Sequence, residues 1–222
     1  MKITVLGSSG RFGSFVSEYF RSHGNTVISL DLNTSQSNLA DYLSSSDMSL
    51  LATPLNEAIS YVEEYSERTQ LVEVCSVKAP FKKYSGKILS IHPFFGPESF
   101  KDSSRRKIAL ITDICPINSE NIIKELFPDC SILKMDSDEH DRMMASEQGL
   151  PYLISLYFKE SARSITPFIG PGMILKEMIQ LSYRESIDVM KYSVAENPEV
   201  QILLSEISEF FRQIASSHKV ST

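Results

Sequence analysis

Residues 2 to 31 constrain the fold of this chain more than any other stretch. Lys2–Leu6 is a short apolar run rich in β-branched residues and reads as a strand. Gly7, Gly10 and Gly13 follow at once. Phe12, Phe15, Val16, Tyr19 and Phe20 then recur at helical spacing. Thr26–Leu30 reads as a second strand that ends on Asp31. Strand, glycine turn, helix, strand and acid in that order is the setting of a dinucleotide-binding turn. The glycines let a pyrophosphate approach the backbone. The helix start offers N–H groups and the positive end of its dipole, and the acid accepts from ribose hydroxyls. The spacing departs from the strict G-x-G-x-x-G pattern, because Ser9 stands where the second glycine normally lies. Serine is small, and its hydroxyl can donate to a phosphate. The plainer reading is a glycine turn in an ordinary β-α-β unit; strand, helix and acid together weigh against it. Gly7, Ser8, Ser9, Gly10, Arg11, Phe12, Gly13 and Asp31 are therefore expected to hold the cofactor. Thr53 and Pro54, which close a third strand, join them. Asp31 would repel a 2′-phosphate, so NAD is expected over NADP, although Asn33 and Ser35 leave that choice open.

The chain has 222 residues, enough for one ordinary domain plus a small one, and 42% of them are hydrophobic. A net charge of −6 argues against a nucleic-acid surface. No apolar run approaches a membrane span, and the opening residues are too few before the glycines for a signal peptide. Cys75, Cys115 and Cys130 form neither a zinc pattern nor a disulfide framework, so no metal and a reducing cytoplasm are expected. Strands are expected at Met48–Ala52, Gln70–Val74, Lys87–Ile91, Lys107–Thr112 and Ser131–Met135, with helices at Leu55–Tyr65 and Ser119–Phe127. The alternation implies an α/β, Rossmann-type doubly wound, mostly parallel sheet. From Asp138 onward only helices are expected, with Gly149 and Pro151 kinking the first. The boundary is placed so that residues 1–137 bind dinucleotide and residues 138–222 form a small all-α dimerisation domain. The late apolar residues Ile202, Leu203, Ile207, Phe210, Phe211 and Ile214 exceed what a short helical tail can bury alone. They are expected to pack on each other and on a second copy.

Ligands of open α/β sheets bind beyond the carboxyl ends of the strands. Ser76 and Lys78 follow the fourth expected strand there, and His92 follows the fifth. Pro93 holds residue 92 extended. An imidazole beside a hydroxyl and a bound NAD suits oxidation of an alcohol. On spacing alone, a satisfied histidine at a strand end explains His92 equally well.

Three blocks carry a resemblance: Glu73-Val74-Cys75-Ser76-Val77-Lys78, His92-Pro93-Phe94-Phe95-Gly96-Pro97, and Asp138-Glu139-His140-Asp141-Arg142-Met143-Met144-Ala145. Together they resemble the prephenate and arogenate dehydrogenase family of tyrosine biosynthesis, through Tyr183-Arg184 and Asn197-Pro198-Glu199. The resemblance implies NAD-dependent oxidative decarboxylation of prephenate, with arogenate as the alternative substrate. It implies His92 as the base and Ser76 bonded to it and to the substrate hydroxyl. Lys78 would support the loop or offer positive charge, and His140 would help orient substrate or close the site. The family usually presents an arginine where Tyr192 stands, with Lys191 beside it, and Tyr152 stands for a usual histidine. Tyr192 can donate one hydrogen bond to the ring carboxylate, and Lys191, Arg184, Arg163 or a partner subunit would then supply the cation. The departure also admits a catalytically inactive NAD-binding relative with a regulatory or partner role.

Overall fold

In β1 (Lys2–Leu6) Ile3, Thr4 and Val5 are fully buried, as befits a central strand covered on both faces. The computed structural model describes residues 1–31, 36–161, 165 and 169–217. Asn33, Ser35, Arg163 and His218 lie outside them. The chain divides into two compact units, Met1–His140 and the residues from Asp141 onward.

The first unit alternates strands and helices. After β1 come α1 (Arg11–Ser22), β2 (Thr26–Leu30), α2 (Gln36–Ser44), β3 (Met48–Leu51) and α3 (Leu55–Tyr65). β4 (Leu71–Glu73), β5 (Leu89–Pro93), β6 (Lys107–Ile111), α4 (Ser119–Leu126) and β7 (Ser131–Met135) complete the sheet, and α5 (Ser137–Met144) begins. Strand order is β2-β1-β3-β4-β5-β6-β7, parallel except that β5 and β6 pair antiparallel. The order reverses at β1 and β3, so a crevice is expected beyond their carboxyl ends. The core joins Ile3, Val5 and Leu50 of the sheet to Val16 and Phe20 of α1 and Phe127 beyond α4.

One boundary shifts with consequence. The fifth strand was expected at Lys87–Ile91, yet β5 spans Leu89–Pro93 and contains His92. Lys87 instead closes a turn onto Tyr84, and antiparallel pairing with β6 sets His92 opposite Ala109 and Pro93 opposite Ile108. The base candidate is therefore held in the sheet rather than in a loop after it.

The second unit is helical among its described residues. The π-helical turn Ala145–Gly149 continues α5 into α6 (Leu150–Glu160). α7 (Gly170–Ser182), α8 (Ile187–Ala195) and α9 (Pro198–Ser217) follow. At Gly149, where a kink was expected with Pro151, the helix takes a π-helical turn before α6. Gly149 is required because a Cβ there would lie 2.5 Å from Val200 Cγ2. Asn197 explains the Asn-Pro-Glu motif: its Nδ2 donates to Asp141 O at 2.8 Å, and its Oδ1 caps α9 at Glu199 N at 3.0 Å. Among the described residues no helix is long and apolar enough to cross a membrane.

The glycine turn predicts its own sensitivity. A Cβ on Gly13 would lie 2.0 Å from Gly7 O, whereas one on Gly10 would lie 3.2 Å from the same oxygen. Gly13→Ala is expected to cost about 1–3 kcal/mol or more, since backbone must move, and Gly10→Ala clearly less. Urea midpoints of the two variants check the order; equal losses would contradict it.

Candidate active site

The carboxyl ends of β1 and β3 meet at the glycine turn. Gly7 has a φ of 77°, and a Cβ on it would lie 2.3 Å from Ala52 O, so only glycine fits. Gly7 N and Ser8 N donate to Leu30 O at 3.0 and 3.1 Å, tying the turn to the end of β2. Asp31 Oδ2 accepts from Ser9 N at 2.6 Å and from Ser8 Oγ at 3.3 Å. The acid is thus fixed against the turn it was expected to serve. Gly10 is the N-cap of α1, and no side-chain cap and no first-turn acid competes for an anion there. Thr53 Oγ1 is buried without a hydrogen-bond partner beside the turn. An orphaned hydroxyl and an uncapped helix start, beside a turn whose glycines pack tightly on their own backbone, together fit a dinucleotide. Phe12 has only its backbone to offer, because its ring packs against Phe15 and Phe95 at 6.1 and 6.5 Å. Arg11 and Pro54 are exposed.

That aromatic packing brings the segment after β5 to α1. Phe95, 6% exposed, contacts Phe12, Phe15 and Phe100, so the residues after His92 rest on the helix that opens the turn.

Beneath His92 lies a buried ion pair. Glu73 ends β4, and Lys78 Nζ donates to its Oε1 at 2.7 Å and to Ile91 O at 2.8 Å. Ser90 Oγ donates to the same carboxylate oxygen, and Cys75 N donates to Oε2 at 2.8 Å. Lys78 is fully buried. Its ammonium meets Glu73 and the β5 backbone, which ties this loop to the sheet. Ser76 sits half-buried on this loop.

His92 is half-buried, and its Nδ1 lies 2.9 Å from Nε2 of His140 on α5. Phe94 packs edge-on against His92 at 5.2 Å and stacks on His140 at 6.4 Å. Burial first, then His140 and the Lys78 ammonium, hold the His92 pKa well below its usual 6.5. A neutral imidazole at physiological pH follows. The neighbour the structure gives His92 is the His140 ring, which spacing did not reveal. The thiols are poor nucleophiles: burial pushes Cys75 up, Cys115 to about 11 and Cys130 to about 12.

Lys191 and Tyr192 lie on α8 in the second unit, Lys191 exposed and 3.8 Å from the Glu160 carboxylate. Tyr152 OH accepts from Gln148 Nε2 at 3.1 Å.

No family model matches this chain. It is 24% identical over 159 residues to the T-protein of Haemophilus influenzae, covering 67% of this chain and 42% of the relative. The chain thus spans about two fifths of the length of the curated relative it matches. Its fold is similar to prephenate dehydrogenase from A. aeolicus in complex with hydroxyphenyl propionate and NAD+. There the TM-score is 0.70 at 15% identity, over 99% of this chain and 92% of that one. A putative prephenate dehydrogenase from Corynebacterium glutamicum gives 0.72 at 12% identity, over 100% and 82%. Synechocystis arogenate dehydrogenase gives 0.57 at 16%, over 98% and 93%. In fold the chain is similar to prephenate and arogenate dehydrogenases.

The depressed His92 pKa makes stability depend on pH. Below pH 6.5 the unfolded chain takes up a proton that folded His92 still refuses. Stability therefore falls as pH drops from 6.5 toward the folded value, by at most about 1.4 kcal/mol per pH unit from this group. Urea unfolding between about pH 5 and 7.5 should show a shallower acid slope in His92→Gln than in the parent. An identical slope would contradict the neutral buried imidazole.

Proposed function

We propose that this chain catalyses the NAD-dependent oxidative decarboxylation of prephenate to 4-hydroxyphenylpyruvate. One observation carries the reading: a neutral histidine held in β5, at the sheet edge where a glycine turn suited to a dinucleotide opens. The match to the T-protein and the fold shared with an NAD+-bound prephenate dehydrogenase support it.

The bound nicotinamide would supply the hydride acceptor. The α1 N-terminus and the glycine turn would hold the pyrophosphate, and Asp31 the adenosine ribose. His92 Nε2 takes the proton of the ring C4 hydroxyl as hydride leaves C4. The bond from C1 to its carboxylate breaks, and its electron pair enters the ring as carbon dioxide departs. The ring becomes aromatic, and the proton on His92 returns to the phenol oxygen. Aromatisation supplies the driving force, so the protein needs alignment and one base. Ser76 would bond the reacting hydroxyl, and Lys191 and Tyr192 would meet the ring carboxylate. The surface pair between Lys191 and Glu160 is weak enough to give way.

The described residues of α9 leave Ile202, Phe210 and Phe211 from 51% to 68% exposed. This stripe would bury itself against a second copy, making a homodimer through the C-terminal helices. The three free thiols suit a reducing cytoplasm.

Tyr192 in place of the family arginine favours a second reading, an NAD-binding relative without turnover, since tyrosine lacks the charged fork that grips a carboxylate. Purified protein with prephenate and NAD is expected to form NADH, more slowly with NADP. His92→Asn should lower kcat by roughly 10²–10⁴-fold. Unchanged turnover in that variant would defeat the mechanism. Calorimetric NAD binding without turnover on prephenate or arogenate would select the second reading. Sedimentation should report a dimer, and a monomer for Phe210→Glu/Phe211→Glu.

A further inference from the structure

His92 and His140 meet nitrogen to nitrogen, 2.9 Å from Nδ1 to Nε2, with ring planes crossing at 67°. When both rings are neutral a single proton occupies that gap, so the tautomer of one ring dictates that of the other. If His140 donates, Nδ1 of His92 is bare and its proton sits on Nε2, where no second proton can be taken. If His140 accepts, Nδ1 carries the proton and the Nε2 lone pair is open.

We propose that His140 is a positioning residue: it accepts the Nδ1 proton of His92 and so keeps the Nε2 lone pair available for the substrate hydroxyl. The inference rests on the dehydrogenase reading above and gives His140 a role other than substrate ligand. His140 is built to hold still. It is fully buried, and Phe94 stacks on its ring. Its helix is pinned at the start, where Ser137 N and Oγ donate to the two oxygens of Asp113 at 2.8 and 2.5 Å. One turn on, Asp136 Oδ1 accepts from Glu139 N at 2.7 Å, and Asp136 O accepts from His140 N at 3.0 Å. His92 is held just as firmly between β4 and β6.

The choice of a neutral acceptor has a chemical consequence. The groups that bear on His92 are His140 on α5 and Lys78 on the loop after β4, the latter paired with Glu73. A carboxylate at the place of His140 would favour the imidazolium and leave the base protonated near neutral pH. An imidazole carries no negative charge and orients His92 without that penalty. When the substrate proton arrives on Nε2, the Nδ1–H bond persists as a charge-assisted one.

The full chain separates this role from its alternatives. In His140→Gln the amide oxygen takes the acceptor place of Nε2; in His140→Leu nothing does. With NAD and prephenate, His140→Leu is expected to lose about 100-fold in kcat with KM changed less than about threefold, and His140→Gln to recover at least about tenfold of that. The pH profile of kcat/KM should keep its acid limb below 6.5 in His140→Gln. A raised KM with kcat preserved would make His140 a substrate ligand. Equal losses in the two variants would reduce it to packing. Side-chain ¹⁵N NMR of the NAD-bound protein tests the tautomer without turnover: Nδ1–H on His92 is expected in the parent and in His140→Gln. Nε2–H in the parent would overturn the proposal. A parent inactive on both prephenate and arogenate would sink the dehydrogenase reading, and the NMR result would still decide the tautomer.

Discussion

A carboxylate and an ammonium, both removed from water, hold the candidate site together. Glu73 and Lys78 are fully buried and 2.7 Å apart. Moving such charges out of water is costly unless every remaining lone pair and proton finds a partner. Here the partners are Ser90 Oγ, Cys75 N and Ile91 O. Removing either charge would strand the other, a loss of about 3–5 kcal/mol. The pair joins the end of β4, the Ser76 loop and the middle of β5 into one piece. His92 follows Ile91 directly, so its backbone inherits that rigidity.

The same burial sets the chemistry. In a low-dielectric setting an imidazole that faces a second imidazole and a nearby ammonium stays neutral. His23 shows what a different setting makes of the same side chain. Its Nδ1 meets Tyr19 O at 2.9 Å and its Nε2 meets Asp129 at 3.0 Å, at the exposed end of α1. One histidine finishes a helix, as its place before Gly24 suggests; the other is held in a strand beside a second imidazole.

Much of the fold was legible because it follows from short-range rules. The β1 turn shows in the sequence as closely spaced glycines, and a Cβ on Gly13 would lie 2.0 Å from Gly7 O within the same turn, although the clash at Gly7 itself is with the distant Ala52 O. The helical period marks α1 and α3 for the same local reason. What was hidden depends on partners far away in sequence. His92 enters β5 because β6, nearly twenty residues on, pairs with it. Lysine is seldom fully buried, so composition points Lys78 outward, and only Glu73 and the Ile91 carbonyl explain its true place. The His140 ring lies 48 residues from His92, and no spacing rule joins them. The orphaned Thr53 hydroxyl is likewise a property of packing rather than of pattern.

The central claim is that His92 Nε2 faces the reacting hydroxyl above a dinucleotide held at the glycine turn. A crystal structure of the chain with NAD and a hydroxyphenyl product analogue tests it most directly. The account expects the pyrophosphate at the start of α1 and the phenol oxygen about 2.6–3.2 Å from His92 Nε2. A dinucleotide bound elsewhere, or a phenol oxygen out of reach of that nitrogen, would contradict it.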